Sequence, residues 1–402
     1  MPVLAFVLGL NLPRSFSLLA LICAVGLFVW RADLNSLRRD QVAGMSMLLL
    51  VLFGLSYSIR QLQLEVWVWN GKVLADAATY TLLPATCLSL GWLWRQQPQD
   101  RDSGTELLVA FALGGLVYVS LGLLLSRQPW WNFSEIFPLS ITVPWGDHGM
   151  AGQNVRSVEQ RAYAALALLP VVPWLLWCQP SGWRAKALAC LGLGSWGVYV
   201  IWSLNSPKLM AFALFFAFLP CLLMLPLRRI RWVALAVLTS TTAWLVQTKR
   251  LCDERLPMQL AFFHQIPNHP WGGRQIHFSF EGCPGQGVMQ FAPPPNSPDL
   301  SPHLPHNIFL DQVNDVGLLP AVFLLVACSL LALALLSGFL RTVNGGSWRT
   351  GLALRWSVLS CIVTQALFQP FLYSDRSLFC LTFLFTGAVL AEFSADAGDL
   401  GC

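Results

Sequence analysis

The chain of 402 residues is 55% hydrophobic and only 11% charged, whereas about a quarter of the residues of a soluble domain are charged. That balance excludes an ordinary soluble globular protein and a disordered one. The formal net charge of +5 lies mostly in short linkers between apolar runs, where it is a signal of membrane topology, so no nucleic-acid partner is expected.

A helix that spans a bilayer needs about 20 apolar residues. In chain order, runs of that kind cover 15–30, 42–60, 73–94, 105–125, 160–178, 185–204, 207–226, 230–247, 316–340, 352–373 and 377–393. Residues 1–12 are also apolar but stop at Pro13-Arg14, which makes them a short twelfth span or an interfacial segment. The opening Met1-Pro2-Val3 has neither the basic start nor the small-residue cleavage site of a signal peptide and is expected to be retained. The 18 Trp suit the aromatic belts of membrane interfaces. The expected fold is an all-α polytopic membrane protein of 11–12 transmembrane helices, one membrane domain over 1–402, with membrane lipids around it.

Short loops rich in Lys and Arg stay in the cytoplasm. Arg31, Arg38 and Arg39 share one linker, Arg95 and Arg101 the next alternate one. Arg184 and Lys186, then Arg228, Arg229 and Arg231, then Arg341 and Arg349 continue the series on the same side. The opposite side receives 61–72, 126–158, the turn at 205–208, the long loop 248–306 and Ser374-Asp375-Arg376. Asp76 lies inside the third run with Lys72 and Tyr80 at i−4 and i+4, which fits a helix-face ion pair and leaves it outside the expected site.

The six histidines all avoid the long apolar runs. His148 sits in one outward stretch, while His264, His269, His277, His303 and His306 crowd the loop 248–306. Most of the 11 cysteines lie in apolar runs, where Cys behaves as a small hydrophobe. Cys252 and Cys283 do not; both fall in the outward loop, in the compartment where disulfides persist, and are expected to be bridged. No Cys/His metal spacing occurs, so neither a metal nor a cofactor is expected. The loop is long enough to demand a functional explanation. Residues 253–266 place Leu256, Leu260, Phe263 and Ile266 near helical spacing, which predicts a short helix on the membrane surface. Asn268-His269-Pro270-Trp271-Gly272-Gly273-Arg274 is a turn cluster, and Gly282 to Pro305 is expected to be irregular. Helix resumes at His306, close to an N-cap.

The order of these pieces is an Arg opening an outward amphipathic helix, a His-Pro-x-x-Gly turn, an irregular stretch, then His-Asn-x-x-Leu leading into a span. It resembles the O-antigen ligase and polymerase superfamily, whose members use glycans linked to undecaprenyl pyrophosphate. The family's pattern of His, then Asn, Ser or Gln, nine residues, Gly, two residues, then Gly, Thr or Tyr is met here by His306-Asn307, nine residues, Gly317 and Leu318-Leu319, with Pro320 departing at the last place. Where the family has a Ser-Arg pair at the outer start of an earlier span, this chain has Asn205-Ser206-Pro207-Lys208. Residues 152–163, which contain Arg156, resemble the family's Asn-rich start of another span. The resemblance covers roughly 150–340. It implies a GT-C-like arrangement in the bacterial inner membrane and an inverting, metal-independent transfer at the periplasmic face, from a lipid-linked glycan donor to a lipid A-core or glycan acceptor.

The same residues make chemical sense on their own. A polyprenyl-pyrophosphate donor leaves its tail in lipid and its phosphates at the outer interface, where cations stabilise the charge that develops on the leaving group. Arg255, Lys208 and Arg250 are the candidates, with Arg156 and Arg274 behind them; a cation near a span end can also simply snorkel to the headgroups. Arg binds phosphate through its planar fork. His306 is the candidate base, since a helix N-terminus favours neutral imidazole, which can take the acceptor's proton; Asn307 beside it is a candidate substrate contact. Asp311 and Asp315, one turn apart, are expected to face the loop or orient an imidazole. Two other assignments are a polymerase of the same superfamily and, from a different class, a transporter or flippase, which should carry mid-span ionisable residues and inverted repeats.

Overall fold

The structure is a computed structural model that describes residues 40–64, 71–95, 109–117, 228–247, 255–273, 278–279, 290–291, 307–345 and 376–399, together with isolated helical positions elsewhere. Helices named in chain order are α1 (Gln41–Leu64), α2 (Gly71–Arg95), α3 (Arg228–Gln247), α4 (Arg255–Gln265), α5 (Ile308–Val316), α6 (Leu318–Gly345) and α7 (Arg376–Asp399). One 3-10 turn, Ile266–Asn268, follows α4. Strands β1 (Phe278–Ser279) and β2 (Gln290–Phe291) pair antiparallel, with Phe278 opposite Phe291. Nearly every described residue is therefore helical, as expected from the apolar runs, and the expected irregularity of the loop is interrupted by this short ladder.

Helix α1 starts at a built cap. The Asp40 carboxylate accepts from the amides of Val42 (3.0 Å) and Ala43 (3.1 Å), which satisfies two orphan donors and places negative charge at the positive helix end. From there α1 turns Ala43, Ser46, Leu50, Phe53, Gly54 and Tyr57 inward. These residues recur at helical spacing, and the face they make lies on α2 and α6. Helix α2 in turn packs along α7. Phe53, Tyr57, Tyr80, Phe379 and Phe383 form a continuous aromatic cluster where α1, α2 and α7 meet, with the Tyr57 and Tyr80 rings 4.5 Å apart. Residues 109–117 join through Phe111, whose ring meets Phe385 at 6.3 Å.

Cross-helix contacts fix the directions of the helices. Met47 meets Ser89, while Gly54 and Ser58 meet Thr81, so α1 and α2 are antiparallel. Tyr80 meets Phe379, and Gly91 abuts Leu384 and Ala388, so α2 and α7 are parallel. Arg60, near the end of α1, reaches Val316 just before α6 begins, so α6 runs down α1 in the opposite sense. These are the relative directions that the alternating Lys/Arg linkers require.

Helices α1, α2, α6 and α7 bury an apolar and aromatic core that holds a few polar side chains, and carry further apolar residues on their outer faces. Ser58 and Thr81 share a hydrogen bond of 2.6 Å, and Ser89 donates to the Ala85 carbonyl at 2.8 Å. Outward, α1 shows Met45, Leu48, Leu55 and Ile59, and α6 shows Leu319, Leu325 and Leu333. Water would not tolerate two such stripes; lipid does, and membrane helices associate through small and polar residues in this way. Two helical segments, Gln41–Leu64 and Leu318–Gly338, are long and apolar enough to cross a membrane, and Phe379–Ala391 is a shorter apolar stretch. The runs at 160–178 and 207–226 lie outside the described residues, as do all but isolated positions of 15–30, 185–204 and 352–373.

Candidate functional site

The loop helix α4 begins at Arg255 and buries Phe262, while Leu260 and Phe263 stay exposed. It runs from Arg255 to Gln265, within a residue or two of the bounds expected from its spacing, and its exposed apolar residues are two of those expected to lie on the membrane. Pro267 supports the 3-10 turn that follows, and the His269 amide closes it on the carbonyls of Gln265 (3.2 Å) and Ile266 (3.1 Å). The chain then reverses through Gly272 and Gly273, at φ 75° and 90°, values that favour glycine.

Helix α5 is set up by its own sequence. The Asn307 side-chain oxygen accepts from the amides of Phe309 (3.0 Å) and Leu310 (3.3 Å), so Asn307 is the N-cap and the helix begins at Ile308 rather than His306. Loss of such a cap costs about 1 kcal/mol. The helix ends at Gly317, at φ 101°, whose amide returns to the Gln312 (3.2 Å) and Val313 (3.1 Å) carbonyls. Leu318 restarts the helix as α6.

The loop turn docks on this break. Gly273 donates to the Asp315 carbonyl at 2.9 Å, and Leu318 donates to the Pro270 carbonyl at 2.8 Å. The two backbones lie so close that a Cβ on Gly272 would strike the main chain of Asp315 to Gly317, and one on Gly317 would meet Pro270 and Trp271. A single contact therefore explains glycine at both places. Helices α4 and α5 also touch, so the helix opened by Arg255 and the helix capped by Asn307 belong to one cluster.

A third element completes it. Arg60, half-buried on α1, donates from Nε to the Val316 carbonyl (3.3 Å), from one terminal nitrogen to the Trp271 carbonyl, and from the other to Gln63 Oε1 (2.6 Å). Its guanidinium carbon lies 6.0 Å from the centroid of the Trp271 ring, within cation–π range. Sequence reading passed over Arg60. The available signal was its place: a cation at the very end of an apolar run.

Beneath the junction, Asp311 and Gln312 are fully buried and Asp315 nearly so, so neither carboxylate is open to solvent. Burial pushes the Asp311 carboxyl well above its ordinary range, and the nearby Asp315 carboxylate adds to the rise; desolvation and like charge both disfavour the ionised form.

Of the other expected site residues, Arg255 is placed by the backbone alone, at the first position of α4. His306, Lys208, Arg250, Arg156, Arg274, Cys252 and Cys283 lie outside the described residues. Among the described residues no three His, Cys, Asp or Glu side chains are grouped as a metal would require. Cys87 and Cys380, both buried, and Cys328, half-buried, form no disulfide. No protein-family model matches the chain, and no curated protein matches it.

Proposed function

We propose that the chain is a polytopic glycosyltransferase of the bacterial inner membrane, of the O-antigen ligase type. It moves a glycan from undecaprenyl pyrophosphate to an acceptor hydroxyl, such as one on a lipid A-core, at the periplasmic face. The observation that supports this is the docking of the His269-Pro270-x-x-Gly273 side of the loop turn onto the break that ends at Gly317. These are the two separated stretches that carry the family resemblance, and they meet at the end of a helix long and apolar enough to span a membrane.

The roles follow from position. His306 immediately precedes the N-cap of α5, at the electropositive end of that helix. Neutral imidazole is favoured there, and it accepts the proton of the attacking hydroxyl. Arg255 opens α4 and offers a fork to the pyrophosphate, which departs as the anomeric carbon is attacked. Lys208, Arg250, Arg156 and Arg274 supply further cations for the same leaving group.

The test is transfer by purified protein in detergent from lipid-linked donor to acceptor, with no membrane to cross. Wild type should form the glycosidic bond, and a transporter would not. His306→Ala should lower the rate by about 10²–10⁴-fold, the usual cost of losing a general base. Arg255→Ala should impair donor use strongly, and Arg255→Lys should recover it only in part, because lysine keeps the charge and loses the fork. Activity of His306→Ala within a few-fold of wild type would assign the proton to another group.

A further inference from the structure

We infer that Arg60 is a positioning residue that clamps the loop turn to the α5–α6 break, holding both proposed catalytic helices in register with the first described span. Four main-chain carbonyls face one another across this contact. Pro270 accepts from Leu318 and Asp315 accepts from Gly273, a reciprocal pair of backbone bonds. The next carbonyl on each side, Trp271 and Val316, is left over, and Arg60 takes both. Val316 is the last residue of α5, so its carbonyl belongs to the set that a helix cannot satisfy internally. A cation there also complements the negative helix end. Arg60 is thus a C-terminal cap supplied by a different helix.

The residue type matters. Nε and one terminal nitrogen form a single planar edge of the guanidinium, and that edge meets the two carbonyls. An ammonium is a point charge and cannot hold two acceptors in a fixed plane. The same edge is the one that would grip a phosphate bidentately, and carbonyls occupy it. The remaining nitrogen is held by Gln63, and the ring of Trp271 lies by one face. Arg60 therefore acts through the chain it holds and leaves donor binding to other cations. Through Trp271 it anchors the turn that ends α4, and through Val316 it anchors the end of α5.

The kinetic half of this inference rests on the proposed transferase; the structural half does not, and hydrogen exchange reads it directly. In Arg60→Gln and Arg60→Ala, peptides covering 268–273 and 315–318 should exchange on the order of 10-fold faster, because local opening sets the rate. Peptides in the α1–α2–α7 core should match wild type, which shows that the variants fold. Arg60→Lys should fall between. In the transfer assay the Gln variant should lose kcat by on the order of 10-fold with donor KM within about twofold of wild type, the mark of a misplaced catalytic group. Unchanged exchange in the turn and break would overturn the clamp. A raised donor KM with kcat intact would make Arg60 a donor ligand and overturn it equally. Faster exchange in a protein whose wild type transfers nothing would keep the clamp and remove the transferase.

Discussion

Asp311 shows how a single residue can read as functional in sequence and act first as a matter of burial. On the sequence it is one of two acids a turn apart; in the fold it is enclosed, with Asp315 close by. Its folded pKa stands above its unfolded value, so over the intervening pH range the folded chain holds a proton that the unfolded chain gives up. Stability from this group is fully present below the ordinary carboxylate range and is lost as pH rises through the folded pKa. Wild-type protein in detergent should therefore lose thermal stability as pH rises above the ordinary carboxylate range. Asp311→Asn should flatten that slope and be the more stable form at the upper end. Parallel slopes for the two proteins in a melting series would mean that the carboxyl ionises in place without penalty.

At the scale of elements, close backbone approach inside and apolar stripes outside give a sharp contrast between two kinds of position. A Cβ on Gly91 would run into the Leu384 carbonyl and the Ala388 amide, and one on Gly387 would strike the Leu88 carbonyl. Helices α2 and α7 thus approach until their backbones touch, as small residues permit in membranes. Gly91→Val should push them apart and cost about 1–3 kcal/mol in a detergent melting assay, whereas Leu55→Val, on the exposed stripe, should be close to neutral. Equal effects would show that α2 and α7 separate without loss. Helix α4 and the turn at 268–273 were legible in the sequence because amphipathic spacing and Pro/Gly turns are local signals. The start of α5 was expected at His306, whereas Asn307 caps the helix with its side-chain oxygen on the amides of Phe309 and Leu310, so it begins at Ile308. Arg60 was not legible. It reaches partners 211 and 256 residues away, and no local periodicity encodes a contact at that separation.

For the molecule as a whole, helix directions constrain what the intervening chain must do. Helices α2 and α6 both run antiparallel to α1, so they share one direction. If both span the bilayer, an odd number of crossings must separate them. The runs at 105–125, 160–178, 185–204, 207–226 and 230–247 number five, which satisfies that parity, and the shared direction of α2 and α7 requires the same of the chain between them. The Lys/Arg linkers give the expected absolute sense, in which the ends where Arg60 meets the loop turn would point away from the cytoplasm. Single-cysteine labelling in a background stripped of native cysteines tests both parity and sense. Asp100→Cys and Gly345→Cys should react with an impermeant thiol reagent only after lysis of spheroplasts, while Pro295→Cys should react in intact ones. Protection of position 295 until lysis would invert the whole arrangement and put the turn, the capped helix and the proposed glycan chemistry on the side where a periplasmic acceptor never arrives. Opposite sidedness for positions 100 and 345 would instead break the parity, and with it the assignment of five crossings between α2 and α6.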